Sequence, residues 1–455
     1  MTGFGLIPQG QKTLALAAMA LSLVACDSQV GRWVGAEKDK PVVTGKRIPV
    51  LVDEQRLAPN DSVSGEQVAL PEPKAGSDWP QSGGNPAHVP PHAALAEKVK
   101  SVWSVDIGAG TSRSLEILAT PVAAGGKVYA MDAAGMVTAL DAAKGKRVWQ
   151  RDTAPDEEDK KAIGGGLALS GERLLASTGF GEVLALSVAD GSVIWRRQIG
   201  QPLRAAPIVA EDRVIVIDIT NRSHVLNLSD GTVQWTHRGM TEATALLGGA
   251  TPAAENQVIV VPYSSGEVFA LRAETGRVIW SDNIAVAARV GALPGLADIR
   301  AMPVIEGKHV LALSHSGRLV AFDLNAGQRV WEQSVGGSQT PVVAGQAVFV
   351  LSAKGQLAEL ARATGLVRWV KDLPACAKDE EDEKECDEAL HWSGPVLAGW
   401  RLWLTNSAGE LVEVTTEDGT ITKRHHLSDA SYLPPIVAEG TIYVLSQDGT
   451  LTAFR

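Results

Sequence analysis

Cys26, the pair Cys376 and Cys386, and the adjacent His425-His426 are the side chains whose type and spacing suit covalent or coordinate chemistry. Cys26 closes the run Leu23-Val24-Ala25-Cys26. Ahead of it, Thr13 to Val24 is apolar and rich in Ala and Leu, and Lys12 is the only charge in the first 26 residues. A stretch this short does not span a bilayer and has the form of a signal h-region. Small residues directly before a Cys have the form of a lipobox, so cleavage after Ala25 and acylation of Cys26 are expected. Buried acyl chains contribute about 0.8 kcal/mol per CH₂, so several of them hold a protein on a membrane. The plainer alternative is an ordinary signal peptide with an incidental Cys.

Export to an oxidising compartment favours a disulfide between Cys376 and Cys386. The bond would close Ala377 to Glu385, a loop dominated by Asp379-Glu380-Glu381-Asp382-Glu383. In the chain-entropy account such a closure contributes about 2–3 kcal/mol. Two thiolates with carboxylates is the metal alternative, but the spacing matches no zinc motif. A second acidic run, Asp156-Glu157-Glu158-Asp159, reads like the first as a solvated loop, and His425-His426 as a solvated connection.

No catalytic constellation emerges. The nine histidines are scattered, and Gly164-Gly165-Gly166 precedes a strand rather than the helix a phosphate cradle needs. Asp298 and Arg300, in the long connection 281–301, read as a surface ion pair. Net charge is −10 with no basic stripe, which argues against nucleic acid. The expectation is a protein that is not an enzyme and holds neither cofactor nor metal.

What positions these residues is a unit that recurs along the chain. Its clearest copy is Thr340-Pro341-Val342-Val343, then Val348-Phe349-Val350-Leu351, then Gly355 to Leu360, then Thr364 to Trp369. Four short apolar runs with Gly-containing turns are four antiparallel strands, and a repeated four-stranded unit is a propeller blade. Copies run Pro121 to Trp149, Gly166 to Trp195, Pro207 to Trp235, Pro252 to Trp280, Pro303 to Trp331 and Pro341 to Trp369. Copy seven opens at Pro395 and has Lys423 where Trp is expected; copy eight opens at Pro435 and stops at Arg455 after three strands.

The missing strand has a candidate in Val99-Lys100-Ser101-Val102-Trp103. A ring must close or leave an edge that invites aggregation. The reading is therefore all-β: an eight-bladed β-propeller of four-stranded antiparallel blades, closed by residues near 98–104 pairing with the last blade. The tryptophans read as packing between blades. In domain terms, 1–25 is a lipoprotein signal peptide, 26–75 a flexible tether rich in Pro and polar residues, and 76–455 the propeller. The long connections 150–165, 236–250, 281–301 and 370–393 join a fourth strand to the next first strand and share one face. Loops on a rigid scaffold are where binding usually resides.

The blade pattern resembles the repeat of pyrroloquinoline-quinone dehydrogenases and their relatives. The lipobox, eight short blades and the run Trp79-Pro80-Gln81-Ser82-Gly83-Gly84-Asn85-Pro86 are similar to the BamB family of outer-membrane assembly lipoproteins. That resemblance implies a non-catalytic scaffold on the periplasmic face of the outer membrane. It would bind the periplasmic domains of BamA and aid insertion of β-barrel proteins, with unfolded outer-membrane proteins as further candidate partners. The family's contact patch falls on Leu246, Leu247, Asp298 and Arg300, where Leu247 replaces an Arg and Arg300 replaces an acid. Asp27 leaves the inner membrane open, since in enteric bacteria that residue retains lipoproteins there. The alternative is a periplasmic quinoprotein-like dehydrogenase or ligand-binding propeller, disfavoured because the chain has no adjacent cysteines.

Overall fold

In blade six the strands Val342–Ala344, Ala347–Leu351, Gln356–Ala361 and Val367–Asp372 pair antiparallel in chain order. This is a computed structural model. It describes residues 56–66, 68–155, 162–242, 246–286, 297–377 and 389–455, and Cys26, Asp27, both acidic runs and Cys386 lie outside them. Among the described residues there are eight such four-stranded sheets, arranged as an eight-bladed propeller. Blade eight is completed by Ser101–Asp106, which pairs antiparallel with Thr450–Phe454, Val105 opposite Leu451. The expected closure is therefore present.

Exposure rises toward the outer edge of each blade. Ser101–Asp106 and Val233–Arg238 alternate, whereas Val258–Pro262 is buried at every position. Neighbouring blades cover both faces of the inner strands, so these read as continuous apolar runs.

The tryptophans join blade to blade by one repeated contact. Trp103, Trp149, Trp195, Trp235, Trp280, Trp331 and Trp369 each donate the indole N–H to a carbonyl of the next blade, at 2.7–3.1 Å. Each ring also lies on the glycine of that blade's last hairpin. A Cβ on Gly145, Gly191, Gly231, Gly276, Gly327, Gly365 or Gly419 would stand 2.5–2.7 Å from the indole, and all seven have positive φ. These seven hairpin glycines are thus both turn residues and seats for the preceding blade's Trp.

Residues 74–93 thread across one end of the central channel. Trp79 bridges Ala123 of blade one, and Gln81 bridges Ala168 of blade two. Pro86 accepts from Ala254 of blade four, Ala87 from Ile305 of blade five, and Ser77 from Glu439 of blade eight. Ala93 bridges Ala398 of blade seven. The inward edges of the first strands would otherwise carry unpaired backbone groups in a buried place. The segment is therefore a plug.

The expected tether boundary at residue 75 moves back. Leu57 is buried, and its N–H donates to Gln356 Oε1 at 2.9 Å. Asn60 donates its N–H to Val367 of the blade-six edge strand at 2.8 Å. Residues 56–74 contain enough apolar side chains (Leu57, Val68 and Leu70) to pack on the propeller.

Candidate binding site at the loop-rich face

The connections that precede the first strands of blades four and five bring Leu246, Leu247, Asp298 and Arg300 together. The Leu246 N–H donates to Asp298 Oδ2 at 2.7 Å, and the Asp298 carbonyl accepts the His315 N–H at 2.9 Å. Asp298 is only 5% exposed. Burial raises its pKa, and the Leu246 N–H, Arg300 and His315 oppose that rise. Its carboxylate fixes the blade-four connection to blade five rather than facing solvent.

The surface ion pair expected of Asp298 and Arg300 does not form. Asp298 is turned to Leu246, and the guanidinium of Arg300 lies against Gly248 and lines the channel. Burial lowers the pKa of Arg300, with Asp298 and Glu116 acting in the opposite direction. Leu247 is 38% exposed, while Leu246 is half-buried. Beside them lies a groove of about 320 Å³ lined in part by Ile219, Thr220, Leu246 and Asp298. Ile219, like Leu247, shows apolar surface to solvent.

Next to this groove is the central channel, a cavity of about 570 Å³. The plug residues Trp79, Ser82, His88 and His92 line it, as do Arg204, Arg300 and Met302. Neither the plug nor Arg204 was expected here. The spacing holds a signal for Arg204, since it stands three residues before Pro207 as Arg300 stands three before Pro303.

The other expected sites fall elsewhere. Cys376 is disulfide-bonded and its backbone bridges Ala389, while Cys386 lies outside the described residues. His425 is not in a solvated connection. It lies on the fourth strand of blade seven, its Nε2 is 2.8 Å from Glu413 Oε1, and its ring packs by Trp403 and Phe454. Among the described residues no group of three or more His, Cys, Asp or Glu is arranged to hold a metal.

A family model described as outer membrane protein assembly factor BamB matches residues 24–161 and 133–371. The chain is 27% identical over 361 residues to outer membrane protein assembly factor BamB of Yersinia pestis, covering 78% of this chain and 88% of that one. It is 26% identical over 358 residues to the protein of that name from Escherichia coli strain K12, covering 77% and 87%. Among solved structures, BamB from Moraxella catarrhalis superposes with a TM-score of 0.64 at 19% identity, covering 79% of this chain and 100% of that one. Quinohemoprotein alcohol dehydrogenase from Comamonas testosteroni gives 0.64 at 14% identity, covering 83% and 80%. At such identities the structural likenesses speak to the fold alone. The sequence match, which spans most of the propeller and extends upstream of it, shows that the chain belongs to the family of the outer membrane protein assembly factor BamB.

Proposed function

We propose that this chain is a non-catalytic scaffold of outer membrane protein assembly, held by an acylated Cys26 on the periplasmic face of the outer membrane. The observation that carries the reading is the family match across residues 24–371. The geometry supports a binding role. A rigid ring presents one elaborated face, and on it Leu247 and Ile219 offer apolar area beside a groove. The partner assigned to this face is the periplasmic part of a BamA-like protein. Leu247 is the contact residue, and Asp298 positions it through the Leu246 N–H. Interface energy concentrates in a few such residues, with losses of about 2 kcal/mol or more at each. Cys376 and Cys386 form the disulfide at the base of the acidic loop.

Depleting the protein from its host and quantifying outer-membrane β-barrel proteins tests the reading. Their amount should fall, and Cys26→Ala should fail to restore it fully. Unchanged β-barrel content on depletion would contradict the proposal. So would turnover of an alcohol or sugar after addition of pyrroloquinoline quinone and calcium.

A further inference from the structure

The segments that lead into the first strands ring the mouth of the channel. Three residues before the opening Pro, blade three has Arg204, blade four Gly249 and blade five Arg300. Both arginines line the same cavity of about 570 Å³. The glycines between them leave room. A Cβ at Gly248, whose φ is +97°, would stand 3.2 Å from Nε and Nη2 of Arg300, and one at Gly249 would stand 3.4 Å from Ala205 Cβ.

Neither guanidinium has a hydrogen-bond or ion-pair partner among the described residues, and Arg204 Nε is buried without one. Asp298 and Glu116 act on Arg300 without reaching ion-pair distance. The acids lining the cavity belong to its other end. Glu306 ends the first strand of blade five and pairs with Arg362 at 3.3 Å, and Glu72 lies near His92 beside the plug. Two cations thus face one opening with no counter-charge in contact, which is costly unless an anion arrives.

The wall carries apolar side chains as well, with Leu118, Met302, Val342 and Leu433 lining the cavity among polar groups such as Thr120, Gln339 and Thr340. The plug residues Trp79, Ser82 and His88 line the same space.

We propose that the channel mouth binds organic carboxylates with an apolar body, the carboxylate held between Arg204 and Arg300 and the body against Leu118, Met302, Val342 and Leu433. Guanidinium and carboxylate form charge-assisted, often bidentate bonds, stronger than neutral ones. A peptide ending in an apolar residue with a free carboxylate has this chemistry, and so does a medium-chain fatty acid. The inference does not rest on the assembly role and concerns the isolated protein.

Calorimetric titration of the purified full chain tests it with three probes: acetyl-Leu-Phe with a free carboxylate, the same dipeptide amidated, and decanoate. At least one carboxylate should bind, the amide at least tenfold more weakly than the free acid where the peptide is the ligand. Arg204→Gln with Arg300→Gln should weaken carboxylate binding at least tenfold. Gly249→Leu, which fills the space between the arginines at a site with ordinary φ, should do the same if the double variant fails to fold. Binding of the dipeptide identifies a peptide end, and binding of decanoate a fatty acid; each supports the site. The proposal is overturned if neither carboxylate binds, if the amide matches the free acid, or if a folded variant retains full affinity.

Discussion

Lys423 Nζ donates to the carbonyl of Val99 at 3.4 Å. In seven other places round the ring, among the described residues, an indole N–H makes the contact to the next blade. The substitution has a physical cause. The last hairpin of blade eight does not exist as a hairpin, because its two strands, Ser101–Asp106 and Thr450–Phe454, come from opposite ends of the repeat region. No turn glycine is there to seat an indole. A flexible cation reaches the Val99 carbonyl instead, and Glu413 stands 3.9 Å from the same ammonium. Lys423→Trp is accordingly expected to leave the thermal midpoint unchanged or lower it. A rise of several degrees would show that a tryptophan seat survives at the seam.

Gly327 and Gly307 separate packing from backbone strain. Both have positive φ, near +68° and +61°, but a Cβ on Gly327 meets Trp280 at 2.5 Å and one on Gly307 meets nothing within 4 Å. Alanine at either position is strained in the backbone. At 327 it also overpacks the blade interface, which costs about 1–3 kcal/mol more. Urea unfolding of the two variants should differ by that amount. Equal losses would mean that the indole seats are loose.

Gln81 holds the plug to blade three. Its Nε2 donates to the Val209 carbonyl at 3.0 Å and its Oε1 accepts the Val209 N–H at 2.8 Å. The side chain is buried and stands in for one more strand residue. Gln81→Ala strands a buried donor and a buried acceptor, each worth about 1–3 kcal/mol. A loss of about 2 kcal/mol or more is expected in equilibrium unfolding; a loss within 0.5 kcal/mol, roughly the range of a surface substitution, would show that the plug does not stabilise the ring.

His88 makes the plug sensitive to acid. Its ring is fully sealed, Nδ1 donates to the Pro303 carbonyl at 2.6 Å, and burial lowers its pKa from 6.5 to about 4. The unfolded chain takes up a proton below pH 6.5, which the folded ring refuses until about pH 4. Stability is therefore full above pH 6.5 and is lost as pH falls toward 4, by up to about 3 kcal/mol. His88→Asn keeps a donor and tolerates the positive φ of this site. It should lose less stability than the parent between pH 7 and pH 4.5. Identical slopes would remove His88 from the account.

The blade count, the closing strand and the tryptophan contacts are all legible in the sequence. Each is a short-range pattern repeated at fixed spacing, so one copy supports the next. The plug is not legible, because Trp79 to Pro86 has the composition of a turn while its function is to pair with edges far away in the chain. Gln81 meets Val209 across a sequence separation of 128 residues. The site is half legible. The connections carrying Leu247 and Arg300 stand out by length, but the direction in which each side chain turns depends on packing. Asp298 turns to the Leu246 N–H, and Arg300 turns to the channel where Gly248 leaves space.

Docking of a partner on the loop-rich face through Leu247 can be measured by co-purification from detergent-solubilised membranes. Wild type and Leu247→Asp would be compared at matched expression, with thermal midpoints measured on both. Leu247 is exposed enough that the variant should fold with an unchanged midpoint. Wild type should retain a BamA-like partner, and the variant should lose at least nine-tenths of it. Full retention by a folded Leu247→Asp would show that Leu247 is not the contact.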